Sequence, residues 1–171
     1  MNPVVVGVGD CRVSNDPNGV LVTYALGSCI AVTVHDPVAG VGGLLHFMLP
    51  ESSLDRAKAQ QNPFMFADTG IPLLFQTAYK LGAEKRRLAV TAAGGAQMMD
   101  QRGVFNIGKR NYLTMRKILW KAGVLVRAED VGGLVARTVR LEVASGRVSM
   151  RGPGEVEQDL VAAGPPGERS L

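Results

Sequence analysis

Residues 23–50, TYALGSCIAVTVHDPVAGVGGLLHFMLP, hold one of the chain's two cysteines and both of its histidines. The stretch reads as a β-hairpin. Ile30, Val32 and Val34 alternate with small or polar residues, Asp36-Pro37 breaks the run, and apolar residues resume from Val41 to Leu49. With a loop at residues 37–40, Asp36 faces Val41 and Ala31 faces His46. Cys29 then lies one diagonal step from His46 on the same face, roughly 7–8 Å away at the backbone. A slip of one residue would send the two side chains to opposite faces. Cys29 and His35 are six residues apart on one extended strand, roughly 20 Å, and Cys11 could meet a histidine only through long-range folding. Cys29 with His46 is the pairing to carry forward.

The residue types around Cys29 suit a nucleophile. Gly27 lets the backbone come close to a ligand, so N–H groups of Gly27, Ser28 and Cys29 could point at a developing oxyanion. An imidazole beside a thiol can draw off its proton and form a thiolate–imidazolium pair, and His46 would be that base. A third group usually orients the base, and Thr23, six residues before Cys29, is the nearest hydroxyl besides Ser28. The bland reading stands beside this one. A lone cysteine in an apolar strand is usually a small buried hydrophobe, and His46, between Leu45 and Phe47, could equally be a hydrogen-bonded core histidine.

Composition bounds the class. A chain of 171 residues with 46% apolar residues supports one domain with a sizeable core. The N-terminal stretch MNPVVVGVGD has no basic segment before a long apolar region, and no run reaches the length of a membrane span, so a cytoplasmic protein without membrane insertion is expected. Two cysteines without CxxC spacing argue against a disulfide framework or a zinc site, and the chemistry sketched above requires no metal or organic cofactor. The net charge of +4 invites a nucleic-acid reading. The basic residues are scattered among acidic ones, however, and only 5% of residues are aromatic, so no nucleic-acid partner is expected.

Along the chain, Val4 to Val8 reads as a strand, residues 14–19 as a turn with Cys11 between the two, and residues 51–62 as a loop with room for a helical turn. Asp68 or Thr69 should cap a helix with Pro72 early in it, running to Leu81 before Gly82. A strand from Leu88 to Ala93 should enter a close-packed turn at Gly94-Gly95. A second helix, about Gly108 to Ala122, carries the stripe Tyr112, Met115, Ile118, Leu119 and Ala122. Strands at Val124–Ala128, Thr138–Val143 and Val148–Arg151 follow. Residues 1–151 thus form one α/β domain, a sandwich with a mixed sheet and two main helices. Residues 152–171, rich in proline and glycine, read as a flexible tail.

The string LGSCIAVTVHDPVAGVGGLLHFMLP, with Thr23 six residues before Cys29 and His46 seventeen after it, closely resembles the CheD family of chemoreceptor glutamine deamidases. Further pieces match in order: Ala67-Asp68, Ala93-Gly94-Gly95-Ala96 with Met98, Asn106-Ile107-Gly108 with Arg110-Asn111, and Glu129-Asp130 with Gly132-Gly133 and Arg137. The resemblance implies a fold similar to the toxin-type cysteine deamidases. It also implies a hydrolase converting receptor glutamines to glutamate during chemotaxis adaptation, with Cys29 as nucleophile, His46 as base and Thr23 in support. The cytoplasmic domains of chemoreceptors would be the substrate, and a CheC-type phosphatase a second partner of some members. One departure is visible: where the family pattern has Gly-Gly-Asn, this chain has Gly132-Gly133-Leu134. A different class of function, a non-enzymatic adaptor that binds receptor or phosphatase with Cys29 merely packed, is the alternative.

Overall fold

The computed structural model describes residues 3–98 and 106–164. In chain order its elements are β1 (Val4–Val5), β2 (Asp10–Ser14), β3 (Val20–Leu26), β4 (Ile30–Asp36), β5 (Val41–Phe47), α1 (Arg56–Gln61), α2 (Ala67–Lys80), β6 (Ala89–Gly94), α3 (Ile107–Lys121), β7 (Val126–Val131), β8 (Arg137–Glu142), β9 (Val148–Arg151) and β10 (Gln158–Val161). The hairpin β4–β5 has the expected register, Asp36 opposite Val41 and Ala31 opposite His46. Its two strands are buried along their whole length, because they sit inside a sheet that is covered on both faces.

Two five-stranded sheets make the sandwich, in the orders β1-β3-β8-β9-β10 and β2-β5-β4-β6-β7. Each is mixed: β1 runs parallel to β3 and β6 parallel to β7, while the other pairs are antiparallel. Between the sheets, Leu21, Leu26, Val139 and Leu141 meet Ala31, Leu44 and Ala93. On the outer face of the second sheet, Ile30, Val32, Val34, Leu45 and Phe47 pack against Ile71, Leu74 and Phe75 of α2 and Met115 and Leu119 of α3. The apolar stripes of the two helices recur every three or four residues, so each can bury one side on this face. Full burial of a residue such as Leu74 or Phe47 is worth about 1.5–3 kcal/mol.

The Asp36-Pro37 break is held from outside the hairpin. The buried Asp36 carboxylate accepts from the N–H of Val38 and Ala39, at 2.9 and 3.0 Å, from the N–H of Glu84 and from Arg87 Nε. Burial alone would push its pKa up, but these four donors outweigh it and keep the carboxylate below the usual range. At the opposite end, the guanidinium of Arg137 reaches from β8 across the sandwich. It pairs with Asp130 at 2.9 Å and donates to the carbonyls of Gly94 and Gly132, joining the two sheets.

Several expectations are corrected. The fold has two mixed sheets where one was expected, since the alternation in β3, β8 and β9 does not say which strand pairs with which. The first strand spans only Val4–Val5. Cys11 lies within β2, opposite Leu45. The region after Pro50 contains α1, six residues long where no more than a helical turn was expected. Helix α2 starts at Ala67 with Phe66 at its cap position, and Asp68 accepts from Ser52 instead, through both N–H and hydroxyl. Pro72 is consequently the sixth helical residue and lies on the exposed face. Residues 152–164 do not form a free tail, because β10 pairs with β9; residues 165–171 of that expected tail lie outside the described residues.

Candidate active site

The β3–β4 connection builds the site. Ala25 adopts a left-handed conformation (φ 56°), and the β3–β8 register shifts between Thr23 and Leu26. This bulge re-aims the strand, so that residues 27–29 carry the chain from the first sheet to the second. Thr23 thus belongs to one sheet and Cys29 stands at the entry to the other. His46 arrives from β5, and its imidazole lies between the sheets.

Thr23 and His46 meet across the sandwich. Thr23 Oγ1 is 2.8 Å from His46 Nδ1 and 2.6 Å from the Val6 carbonyl oxygen. A hydroxyl has one hydrogen, and the carbonyl can only accept, so the hydroxyl donates to Val6 and accepts from Nδ1–H. This assigns the proton to Nδ1 and leaves Nε2 with its lone pair. Nε2 is buried and has no hydrogen-bond partner among the described residues. A buried nitrogen left bare costs stability, which packing alone does not explain.

Cys29 is half-buried and packs against the apolar layer between the sheets, the side on which His46 lies. The ladder sets Ala31 opposite His46 and ends at Ile30, one residue short of Cys29. The thiol and Nε2 are not hydrogen-bonded to each other in this conformation. Burial pushes the Cys29 thiol up to about 11, against the pull of its own backbone N–H, and pushes His46 down to about 4. Burial thus favours the neutral thiol and the neutral imidazole, since both charged forms would be desolvated here.

The nucleophile loop is fastened through its carbonyls. Gly27 O accepts from Ala96 N–H at 2.9 Å, Ser28 O from Asn111 Nδ2 at 2.9 Å, and Cys29 O from Gly95 N–H at 2.8 Å. Gly94 makes this close approach possible. It has φ 113°, and a Cβ there would collide with the Cys29 carbonyl. The Gly27 N–H is engaged with the Ala25 carbonyl at 3.0 Å. Of the three N–H groups considered for an oxyanion, those of Ser28 and Cys29 are the ones without a backbone partner among the described residues.

The other candidates are elsewhere. His35 is buried with Nε2 donating to the Val143 carbonyl at 2.8 Å, a structural role. Cys11 packs on the helix-facing side of its sheet, and burial, with Asp10 beside it, pushes its thiol up to about 12. Both cysteines are free. Leu134, the departure from the family pattern, is 76% exposed on the turn before β8. A cleft of about 440 Å³ lies between the Ala25 bulge, the start of β8 and the turn at residues 152–155, and neither Cys29 nor His46 lines it. Sequence reasoning met Asn111 only as part of a matching motif and gave it no role. Its signal was a polar residue four positions before Met115 on the buried side of α3, where an amide is a poor helix former.

The family model described as CheD chemotactic sensory transduction matches residues 48–152, a span beginning two residues after His46. Relatives align over nearly the whole chain. A protein of Solibacter usitatus named probable chemoreceptor glutamine deamidase CheD is 55% identical over 165 residues, 96% of this chain and 97% of its own. One of Syntrophus aciditrophicus, named probable chemoreceptor glutamine deamidase CheD 1, is 53% identical, covering 94% and 100%. One of Pyrococcus horikoshii with the first name is 43% identical, covering 88% and 93%.

Proposed function

The chain belongs to the CheD family, and from that premise we propose that it is a protein-glutamine deamidase acting on chemoreceptors. The observation that carries the reading is the Thr23–His46 hydrogen bond, which presents a bare Nε2 on the face where Cys29 stands. The proposed roles are Cys29 as nucleophile, His46 as general base and acid, and Thr23 as the group that holds the tautomer. The N–H groups of Ser28 and Cys29 receive the oxyanion, with Gly27 contributing through the shape of its turn.

The neutral ground state shapes the mechanism. Burial holds the thiol and the imidazole toward their neutral forms, so an ion pair formed before reaction would be desolvated at both ends. Proton transfer to Nε2 therefore accompanies attack of sulfur on the glutamine amide carbon, after the thiol turns toward the ring. The tetrahedral intermediate collapses as Nε2–H protonates the departing nitrogen, releasing ammonia and leaving a thioester. Water then gives its proton to Nε2 and attacks the thioester. Collapse returns the proton to sulfur and frees glutamate.

The same reading aligns the fold with the toxin-type cysteine deamidases. It puts the chain in the cytoplasm with the receptors' signalling domains; among the described residues no helix is long and apolar enough to cross a membrane. A CheC-type phosphatase belongs to the proposal as a second partner, tested by co-purification. The adaptor alternative gives no reason for a buried imidazole with one nitrogen bonded and the other bare. The decisive experiment incubates receptor cytoplasmic fragments with wild type and Cys29→Ala and follows amide-to-acid conversion by mass. Conversion by wild type alone is expected; equal conversion by both removes Cys29 from the chemistry.

A further inference from the structure

Asn111 is fully buried in α3, and both hydrogens of its amide are used. One goes to the Ser28 carbonyl and the other to the Met48 carbonyl, each at 2.9 Å. Ser28 precedes the proposed nucleophile and Met48 lies two residues after the proposed base, so one side chain ties together the ends of β4 and β5 that carry them. Its Oδ1 is buried with no partner among the described residues. Turning the amide over would set that oxygen against two carbonyls, so the orientation follows from its neighbours. An unpaired buried acceptor is a cost in stability. What the position requires is two donors in a fork, at a place where an apolar residue would pack without that cost.

In a trans peptide the carbonyl and the next N–H point in opposite directions. Holding the Ser28 carbonyl against Asn111 therefore sets the direction of the Cys29 N–H, which lies on the side of its own sulfur. An amide carbon attacked by that sulfur would place its oxygen within reach of this N–H. We infer that Asn111 is a positioning residue for the deamidation, aligning the Ser28–Cys29 peptide so that the Cys29 N–H meets the developing oxyanion. The inference rests on the deamidase reading of the site.

The test compares full-length Asn111→Ala and the nearly isosteric Asn111→Asp with wild type and Cys29→Ala. Deamidation of a receptor cytoplasmic fragment is measured beside alkylation of Cys29 by iodoacetamide, the modified site being identified by mass. Alkylation of a thiol passes through no oxyanion, so it reports the thiol without the donor. In both variants kcat should fall about 100-fold, the scale of losing one oxyanion donor, with KM and the alkylation rate within about threefold of wild type. Deamidation within threefold of wild type, or alkylation falling as far as kcat, overturns the inference. So does failure of both variants to fold, which would make Asn111 a purely structural tie. Wild type no more active than Cys29→Ala takes down the deamidase reading itself, a result distinct from active wild type with unaffected Asn111 variants.

Discussion

Replacing Thr23 by valine keeps the shape of a buried side chain and removes its hydroxyl. In the native arrangement that oxygen accepts from His46 Nδ1–H and donates to the Val6 carbonyl. The variant leaves two polar groups unpaired in a site that excludes water, each costing about 1–3 kcal/mol. With that acceptor gone, nothing holds the imidazole proton on Nδ1, and it can pass to Nε2, the atom that must stay bare to receive the thiol proton. A shift of about 1.4–3 kcal/mol in the balance of the two tautomers lowers the competent fraction roughly 10- to 100-fold. The kcat for deamidation should fall by that factor, with KM for the receptor fragment little changed. Thr23→Ser keeps the hydroxyl and loses one methyl, a stability cost of about 1 kcal/mol, and its kcat should stay within a few-fold of wild type. Steady-state deamidation measured by ammonia release decides the matter. A valine variant with wild-type kcat, or a serine variant as impaired as the valine one, would refute the tautomer argument.

Other predictions follow the same geometry. Gly94→Ala must relieve both a left-handed backbone and a collision with the Cys29 carbonyl; it should lose activity and at least about 2 kcal/mol of stability, and a wild-type urea midpoint would contradict this. Asp36→Asn cannot satisfy the four donors around that carboxylate and should cost about 3 kcal/mol by denaturant unfolding; a change under 1 kcal/mol would show that the turn stands without its charge. His46 is held neutral, with a folded value of about 4 against 6.5 when unfolded. As pH falls through that window the unfolded chain takes a proton that the folded chain refuses, so stability should drop by about 3 kcal/mol. The loss should be absent from His46→Gln, and parallel stability curves for the two proteins would argue against burial of a neutral ring. Cys29 alkylation should climb with pH toward about 11; a plateau below pH 7 would point to a preformed thiolate.

The hairpin was legible because its information is local. Asp36-Pro37 marks the turn, and the period of two carries the register back to Ala31 and His46. Thr23 could be suggested by spacing and resemblance, but its contact depends on the bulge at Ala25 and on a second sheet, and both are set by strands more than 100 residues away in β8. The strand β10 was hidden for a related reason. Residues 152–157 carry turn formers, and pairing of the next four with β9 is decided by the edge they meet, not by their own composition. The charge state of the cysteine–histidine pair was not legible because local spacing says nothing about solvent, and burial acts on both groups. Gly94 and Asn111 act by how closely separate elements approach, which no single segment encodes.

The crossing at residues 27–29 makes the proposed triad span a seam. Cys29 and His46 share one sheet and are kept in register by it, whereas Thr23 rides on the other and faces them only while the layers hold their relative offset. Sliding of one layer over the other by an ångström or two would disengage the threonine while every backbone ladder stayed intact. Catalytic rate in such a molecule acts as a gauge of interlayer alignment. Damage to the filling at Val139 or Leu141 should then register as lost turnover at temperatures well below those at which the strands separate.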